Sequence, residues 1–215
     1  MPETHKIDRY LDDYSETEQT LYKRVRRWRD SFFSPLALFF KKINVSANHL
    51  SYFGIFILSG FIYFVLSAPK LASLFLIIHV LIDGIDGVLA RMLKQDDTEG
   101  DLVDTVCDHT GVFIVVLTLG FFGLLNPNLG LLYIYFYTVW LFFIIVRYWL
   151  KIPVRFVVRS KGLVYTLYIV WAFTGFNYLD IALAVFSILI IPLTITSFVK
   201  IKKELKGKKK SLKDF

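Results

Sequence analysis

The sequence predicts an all-α integral membrane protein: six transmembrane helices preceded by an N-terminal amphipathic surface helix. Three observations carry that expectation. Mean hydropathy is +0.54 and 55% of the 215 residues are hydrophobic, 21 of them Phe, which is more apolar than a soluble domain. Six apolar runs follow residue 49, and a run crossing lipid must satisfy its own backbone hydrogen bonds, so helix is the default for each. The basic residues, finally, gather on one side of those runs.

In chain order, residues 1–20 are polar and acidic and are expected to be loosely ordered. From Leu21 to Phe33, Lys23, Arg24, Arg26, Arg27 and Arg29 alternate with Leu21, Val25, Trp28, Phe32 and Phe33 at helical spacing. That pattern is a basic amphipathic helix suited to an anionic membrane surface, with a helix packed on the rest of the protein as the alternative. Pro35 is expected to mark a bend before Leu36–Phe40 and the pair Lys41-Lys42. The spans are placed at about Leu50–Ser67, Leu71–Leu93, Leu102–Leu125, Gly130–Leu150, Leu163–Phe176 and Leu179–Val199, the fifth being the shortest. This divides the chain into a polar and juxtamembrane segment (1–45), a transmembrane catalytic domain (46–200) and a basic tail (201–215).

Charge sets the orientation. Lys70 is the one basic residue on one side; the turns holding Asn126-Pro127-Asn128 and Asn177-Tyr178 have none. The other side holds Arg91, Lys94, Lys151, Arg155, Arg159, Lys161 and a tail from Lys200 through Lys208-Lys209-Lys210 to Lys213. By the positive-inside rule both termini are cytoplasmic, in a multi-pass protein of the cytoplasmic membrane. The net charge of +7 is therefore a topology and anionic-lipid signal, and no nucleic-acid partner is expected. The single cysteine, Cys107, excludes an internal disulfide framework and reads as a small packed residue.

Only the second and third runs carry carboxylates well inside the span: Asp83, Asp86, Asp104 and Asp108. An ionised carboxylate at the bilayer centre costs roughly 2.5–3.5 kcal/mol, so four without partners would oppose insertion by about 10 kcal/mol. A bound divalent cation is the simplest neutraliser. At about 100° per residue, Asp83, Asp86, Gly87, Ala90 and Arg91 fall within roughly 140° of one helix face. Asp104 and Asp108 stack one turn apart, as do Gly100 and Asp104. Two helices joined by the short turn Lys94–Glu99 would be antiparallel neighbours facing each other across these carboxylates. Glycines at 87 and 100 leave room for a close ligand. Hard oxygen donors suit Mg²⁺, Mn²⁺ or Ca²⁺ and not zinc. The inferred topology puts the group in the cytoplasmic half, within reach of a water-soluble substrate and of a lipid entering sideways.

Written out, Asp83-x-x-Asp86-Gly87-x-x-Ala90-Arg91-x₈-Gly100-x₃-Asp104-x₃-Asp108 resembles, at every position, the signature of the CDP-alcohol phosphotransferases. The resemblance implies a CDP-alcohol substrate whose CMP is displaced by an acceptor hydroxyl. It implies Asp83, Asp86 and Asp104 as metal ligands for Mg²⁺ or Mn²⁺. Asp108 becomes the general base and the ligand of a second ion, if two are bound. Arg91 would pair with a phosphate, while Gly87, Ala90 and Gly100 make room for the cytidine end. Asn48-His49-Leu50-Ser51 is similar to the family's Pro-Asn-x-Leu-Thr entry, with Ala47 in place of proline; Asn48 either touches the nucleotide or caps the helix. His109, about 100° from Asp108, is a packing residue in this reading. A homodimer is also implied.

Arg147, Lys151, Arg155 and Arg159 recur every four residues; they bind an acceptor phosphate or only set topology. Tyr148 after Arg147 departs from the glutamate of the glycerophosphate branch. The diacylglycerol-accepting members are typically longer, so the lipid is expected on the CDP side, as CDP-diacylglycerol or an archaeal CDP-archaeol, with a small polar alcohol as acceptor. The alternative function is an intramembrane-carboxylate cation or proton transporter. The fixed Gly-x₂-Ala-Arg-x₈-Gly frame has no reason in that alternative, and no internal repeat supports it.

Overall fold

A computed structural model describes residues 16–94, 98–150, 152, 154 and 161–211. Among the described residues there are seven helices and no strand: α1 (Glu16–Lys42), α2 (Ala47–Phe64), α3 (Pro69–Leu93), α4 (Thr98–Phe121), α5 (Pro127–Trp149), α6 (Lys161–Thr174) and α7 (Leu179–Ser211). Five helices, α2, α3, α4, α5 and α7, have the length and apolarity to cross a membrane. The expected fifth span is helical as α6 but only 14 residues long. At 1.5 Å per residue that is roughly 21 Å, short of the roughly 30 Å hydrocarbon layer.

Local chemistry fixes the ends. Ser46, not Asn48, caps α2: its side chain accepts from the His49 N–H at 3.3 Å, and Asn48 lies inside the first turn. Pro69 opens α3 at a position where its missing N–H has no cost. Lys94 ends α3 in the left-handed region (φ 56°), returning its N–H to the carbonyls of Ala90 and Arg91. Asn126 heads α5, its Oδ1 accepting from the N–H groups of Asn128 and Leu129. Pro35 lies within α1, which continues through Leu36–Phe40 to Lys42. α7 runs through Ser211, well beyond the apolar segment expected to stop at Val199.

The turns between α4 and α5 and between α6 and α7, called the outer turns below because they lie away from Asp83, Asp86, Asp104 and Asp108, are tied to each other. The Asn126 N–H donates to Asp180 Oδ1 at 2.7 Å, and Asn177 Nδ2 donates to the Leu124 carbonyl at 2.6 Å. Beneath them lies the main core, with Leu58 and Phe61 of α2, Leu76 of α3, Leu119 of α4, Tyr133 and Trp140 of α5 and Tyr168 of α6. A second, smaller core joins Ala37 of α1 and Leu50 of α2 to Ile82, Ile85, Val88 and Leu89 of α3.

α1 is a packed helix with one bare side. The Phe33 ring sits 2.7 Å from where a Cβ on Gly84 would stand, and Ala37 is fully covered. Trp28 (69% exposed), Phe32, Leu36 and Phe39 face away from the bundle. Packing on the rest of the protein, one of the two alternatives read from the sequence, is what the face of Phe33 and Ala37 shows. α3 and α4 hardly touch each other, whereas α2 and α6 each pack against both. The pair expected to face each other across the carboxylates does so across a gap, with one oxygen each of Asp83, Asp104 and Asp108 within 4.8 Å of one another.

Candidate active site

Three helices line that gap in matching register. On α3, His79 and Asp83 are four apart; on α4, Asp108 and Gly111 are three apart; on α6, Lys161 and Tyr165 are four apart. Each pair shares a helix face one turn apart, so the side chains fall into two layers.

The inner layer is ionic. One carboxylate oxygen from each of Asp83, Asp104 and Asp108 lies within 4.8 Å of the others. Lys161 Nζ reaches in from α6, 2.9 Å from Asp83 Oδ1 and 2.5 Å from Asp108 Oδ1. These are charge-assisted hydrogen bonds across the gap, and they stitch α6 to both acidic helices. The donor set fits a hard divalent cation, since three carboxylates converge and no sulfur or imidazole joins them.

Asp86 stands apart from this cluster. It is only 4% exposed, and its Oδ2 accepts a hydrogen bond from Ser51 Oγ at 2.7 Å. The helical arc that grouped Asp83 with Asp86 spans enough angle for α2 to capture the second while the gap takes the first. Both still line one small void with Ser51, Gly54, His79, Ile82, Cys107 and Asp108.

The outer layer is neutral and polar. His79 Nδ1 lies 2.9 Å from the Gly54 carbonyl, which can only accept, so Nδ1 carries the proton and Nε2 offers a lone pair. His79 Nε2 and the Tyr165 hydroxyl are both buried without a hydrogen-bond partner. A Cβ on Gly111 would stand 2.9 Å from the first and 3.0 Å from the second. Glycine there is what lets these two groups close over α4.

The signature arginine points to α1. Arg91 Nη2 is 2.5 Å from Asp30 Oδ1, and Arg29 Nε is 3.9 Å from the same oxygen. A Cβ on Gly87 would lie 3.6 Å from Arg91 Nη1 and 4.0 Å from Arg29 Nη2, so two guanidinium groups converge at that glycine. Gly87, Ala90, Arg91, Gly100 and Asn48 are all half-buried. Cys107 is buried as expected. His109 packs toward α5, its ring 5.4 Å from Tyr137 and its Nε2 2.9 Å from Thr138 Oγ1. Arg147 is buried and donates to Ser197 Oγ of α7 at 3.1 Å. Lys151, Arg155 and Arg159, the rest of the expected acceptor cluster, lie outside the described residues. An apolar groove of about 510 Å³ near Ile62, Phe121 and Pro127 lies at the opposite end of the bundle, with no charged lining.

Sequence reasoning missed three of these residues. Lys161 was counted among the topology-setting charges, Ser51 among the entry residues of α2, and Asp30 not at all. Asp30 did carry a signal: it is the one acidic residue between Leu21 and Lys42.

Comparison with known proteins places this geometry. The sequence model described as CDP-alcohol phosphatidyltransferase matches residues 44–200. An uncharacterised protein of Aquifex aeolicus (strain VF5) is 36% identical over 90 residues, 41% of this chain and 46% of that protein, so the match spans less than half the relative's length. The fold is similar to that of the Mycobacterium tuberculosis phosphatidylinositol phosphate synthase, crystallised with CDP-DAG bound: TM-score 0.63 and 15% identity, over 79% of this chain and 92% of that one.

Proposed function

The chain belongs to the CDP-alcohol phosphatidyltransferase family, and on that premise we propose that it transfers a phosphatidyl or archaetidyl group from a CDP-linked lipid to the hydroxyl of a small polar alcohol, releasing CMP. The observation that carries the reading is the convergence of Asp83, Asp104 and Asp108 in a gap between membrane helices, inside the matched region. The fold-level likeness to a synthase crystallised with CDP-DAG supports CDP-diacylglycerol, or CDP-archaeol, as the donor.

The roles follow from placement. Asp83 and Asp104, with Asp86 and Asp108 alongside, hold Mg²⁺ or Mn²⁺. Such an ion offsets the diphosphate charge and stabilises the departing CMP phosphate. Arg91 takes a phosphate oxygen, and Gly87, Ala90, Gly100 and Asn48 shape the space for the cytidine end. The acceptor oxygen bonds to the lipid-bearing phosphorus, and the bond from that phosphorus to the bridging oxygen breaks. CMP leaves with that oxygen, while Asp108 takes the hydroxyl proton. Arg147, with Lys151, Arg155 and Arg159, receives the acceptor when it is phosphorylated. The protein is a homodimer in this reading, with α1 lying along the membrane surface through Trp28, Phe32, Leu36 and Phe39. α6 completes a sixth membrane-embedded helix, and the termini and the site face the cytoplasm.

The test is CMP release by purified protein from CDP-diacylglycerol or CDP-archaeol with Mg²⁺ or Mn²⁺. Glycerol 3-phosphate, serine, inositol, inositol phosphate and glycerol would be offered singly. Release with one acceptor names the product. Folded, metal-binding protein that releases CMP with none of them overturns the proposed donor and acceptor class.

A further inference from the structure

We propose that Arg29 of α1 is a second phosphate-binding residue, closing with Arg91 on the diphosphate of the CDP-linked lipid. This rests on the proposed donor and adds a contact from outside the signature: Arg29 precedes the family-matched residues 44–200.

Convergence is the first support. Two guanidinium groups from different helices meet at one glycine, Arg91 Nη1 and Arg29 Nη2 standing 3.6 Å and 4.0 Å from where a Cβ on Gly87 would lie. Like charges brought this close repel each other unless an anion lies between them. Asp30 gives its Oδ1 to Arg91 Nη2 at 2.5 Å, but the same oxygen is 3.9 Å from Arg29 Nε, too far for a hydrogen bond. Among the described residues, Arg29 Nε is buried with no hydrogen-bond partner. Packing fixes its direction. Arg29 and Phe33 are four apart and share a face of α1, and the Phe33 ring sits on Gly84, one turn from Gly87 on α3.

The glycine itself is the second support. At Gly84 and Gly111 an added methyl would strike a neighbour, 2.7 Å from Phe33 and 2.9 Å from His79 Nε2. At Gly87 it would meet both guanidinium groups at ordinary van der Waals distance, so packing does not demand glycine there. Alanine would make the better helix. Glycine keeps open the space in front of two cations, where an oxyanion fits. Arginine suits that task, since its planar fork offers paired N–H donors to phosphate oxygens.

Calorimetric titration of CDP onto full-length protein, in detergent free of anionic lipid and with Mg²⁺ present, tests the contact without turnover. Arg29→Ala is expected to weaken CDP binding about tenfold, the scale of one hydrogen bond to a charged group. Arg29 is 40% exposed on its own helix, so this variant is expected to fold. Arg24→Ala removes an equal charge from an exposed position of α1 and is expected to change binding by less than about twofold. In turnover, Arg29→Ala should raise KM for CDP-diacylglycerol and leave kcat in place. Unchanged CDP binding by Arg29→Ala would overturn the proposal. So would an equal loss in Arg24→Ala, which would make the effect one of general charge. Lost affinity for vesicles of anionic phospholipid, with CDP binding intact, would assign Arg29 to the membrane surface and overturn it as well. An unaltered protein that binds neither CDP nor CDP-diacylglycerol would remove the donor reading itself, and this proposal with it.

Discussion

α3 and α4 have two different ends. In their outer halves, Ala72 and Leu76 on α3 and Val112, Val115, Val116 and Leu119 on α4 join one aromatic-rich core with Phe61, Tyr133, Trp140 and Tyr168. In their inner halves the same helices carry Asp83, Asp86, Asp104 and Asp108; Lys161 of α6 bridges the two helices through Asp83 and Asp108, while Ser51 of α2 holds Asp86 of α3. Volume sets the helix positions at one end, and charge sets them at the other. Lipid tails are as apolar as leucine, so the outer end is held by contact between side chains and not by water exclusion. The inner end keeps a gap because carboxylates accept ligands only if the helices do not close. The difference teaches that stability and chemistry are separated along a single helix pair, with His79, Gly111 and Tyr165 as the border.

The sharpest way to break this separation is Asp108→Asn. It should lower CMP release about 10³-fold, by loss of the proposed base, and lower the melting temperature in detergent only by the weakened Lys161–Asp108 contact, since Lys161 keeps Asp83. If melting fell as far as activity, the inner layer would be a structural clasp. Trp140→Ala is the mirror case: a fully enclosed ring lost from the outer core should cost about 3 kcal/mol in thermal or denaturant unfolding. Its kcat/KM per folded molecule should stay the same.

Gly111→Ala should act on both sides of the border. The added methyl must displace His79 Nε2 and the Tyr165 hydroxyl, at about 1–3 kcal/mol of stability. Because Asp83 and Lys161 ride on the same helix faces, kcat should fall with it; a stability loss with full activity would dissolve the layered picture. Asp30→Asn comes next. Removing a part-exposed charge from Arg91 is worth about 1 kcal/mol. That predicts roughly a fivefold rise in KM for the CDP-lipid with kcat intact. Phe121→Leu should do least, within about 0.5 kcal/mol, since that ring is 84% exposed.

The outer end was the legible one. Apolar runs bounded by Pro69, Pro127 and the Asn177 turn put the helices within a few residues of where they lie, except for the end of α7, which passes Val199 and reaches Ser211, because hydropathy and turn chemistry are local properties. The aspartates were legible too, as unaffordable charge at fixed spacing. What surrounds them was not. Ser51 reads as an ordinary residue of a helix entry, and nothing local says that its hydroxyl will claim Asp86. Lys161 stands in a run of basic residues that the positive-inside rule already explains, so a second role left no trace. Asn48 was offered a cap that Ser46 holds, since either residue type serves and only the backbone decides between them. α6 showed its shortness in advance but not that its first residue, Lys161, reaches Asp83 and Asp108 across the gap.

The outer turns have a consequence for how the protein is made. Asn126 and Asp180, and Leu124 and Asn177, are 54 and 53 residues apart in the chain, yet each pair is a single hydrogen bond. A ribosome delivers the turn after α4 long before the turn after α6 exists. Until Asn177 and Asp180 emerge, the Leu124 carbonyl and the Asn126 amide have no such partners, and the far rim of the bundle stays unfastened. The residues around the start of the last helix thus fasten the turn between α4 and α5. A nascent chain halted before Asn177 presents the membrane with an open rim, however complete its acidic helices already are.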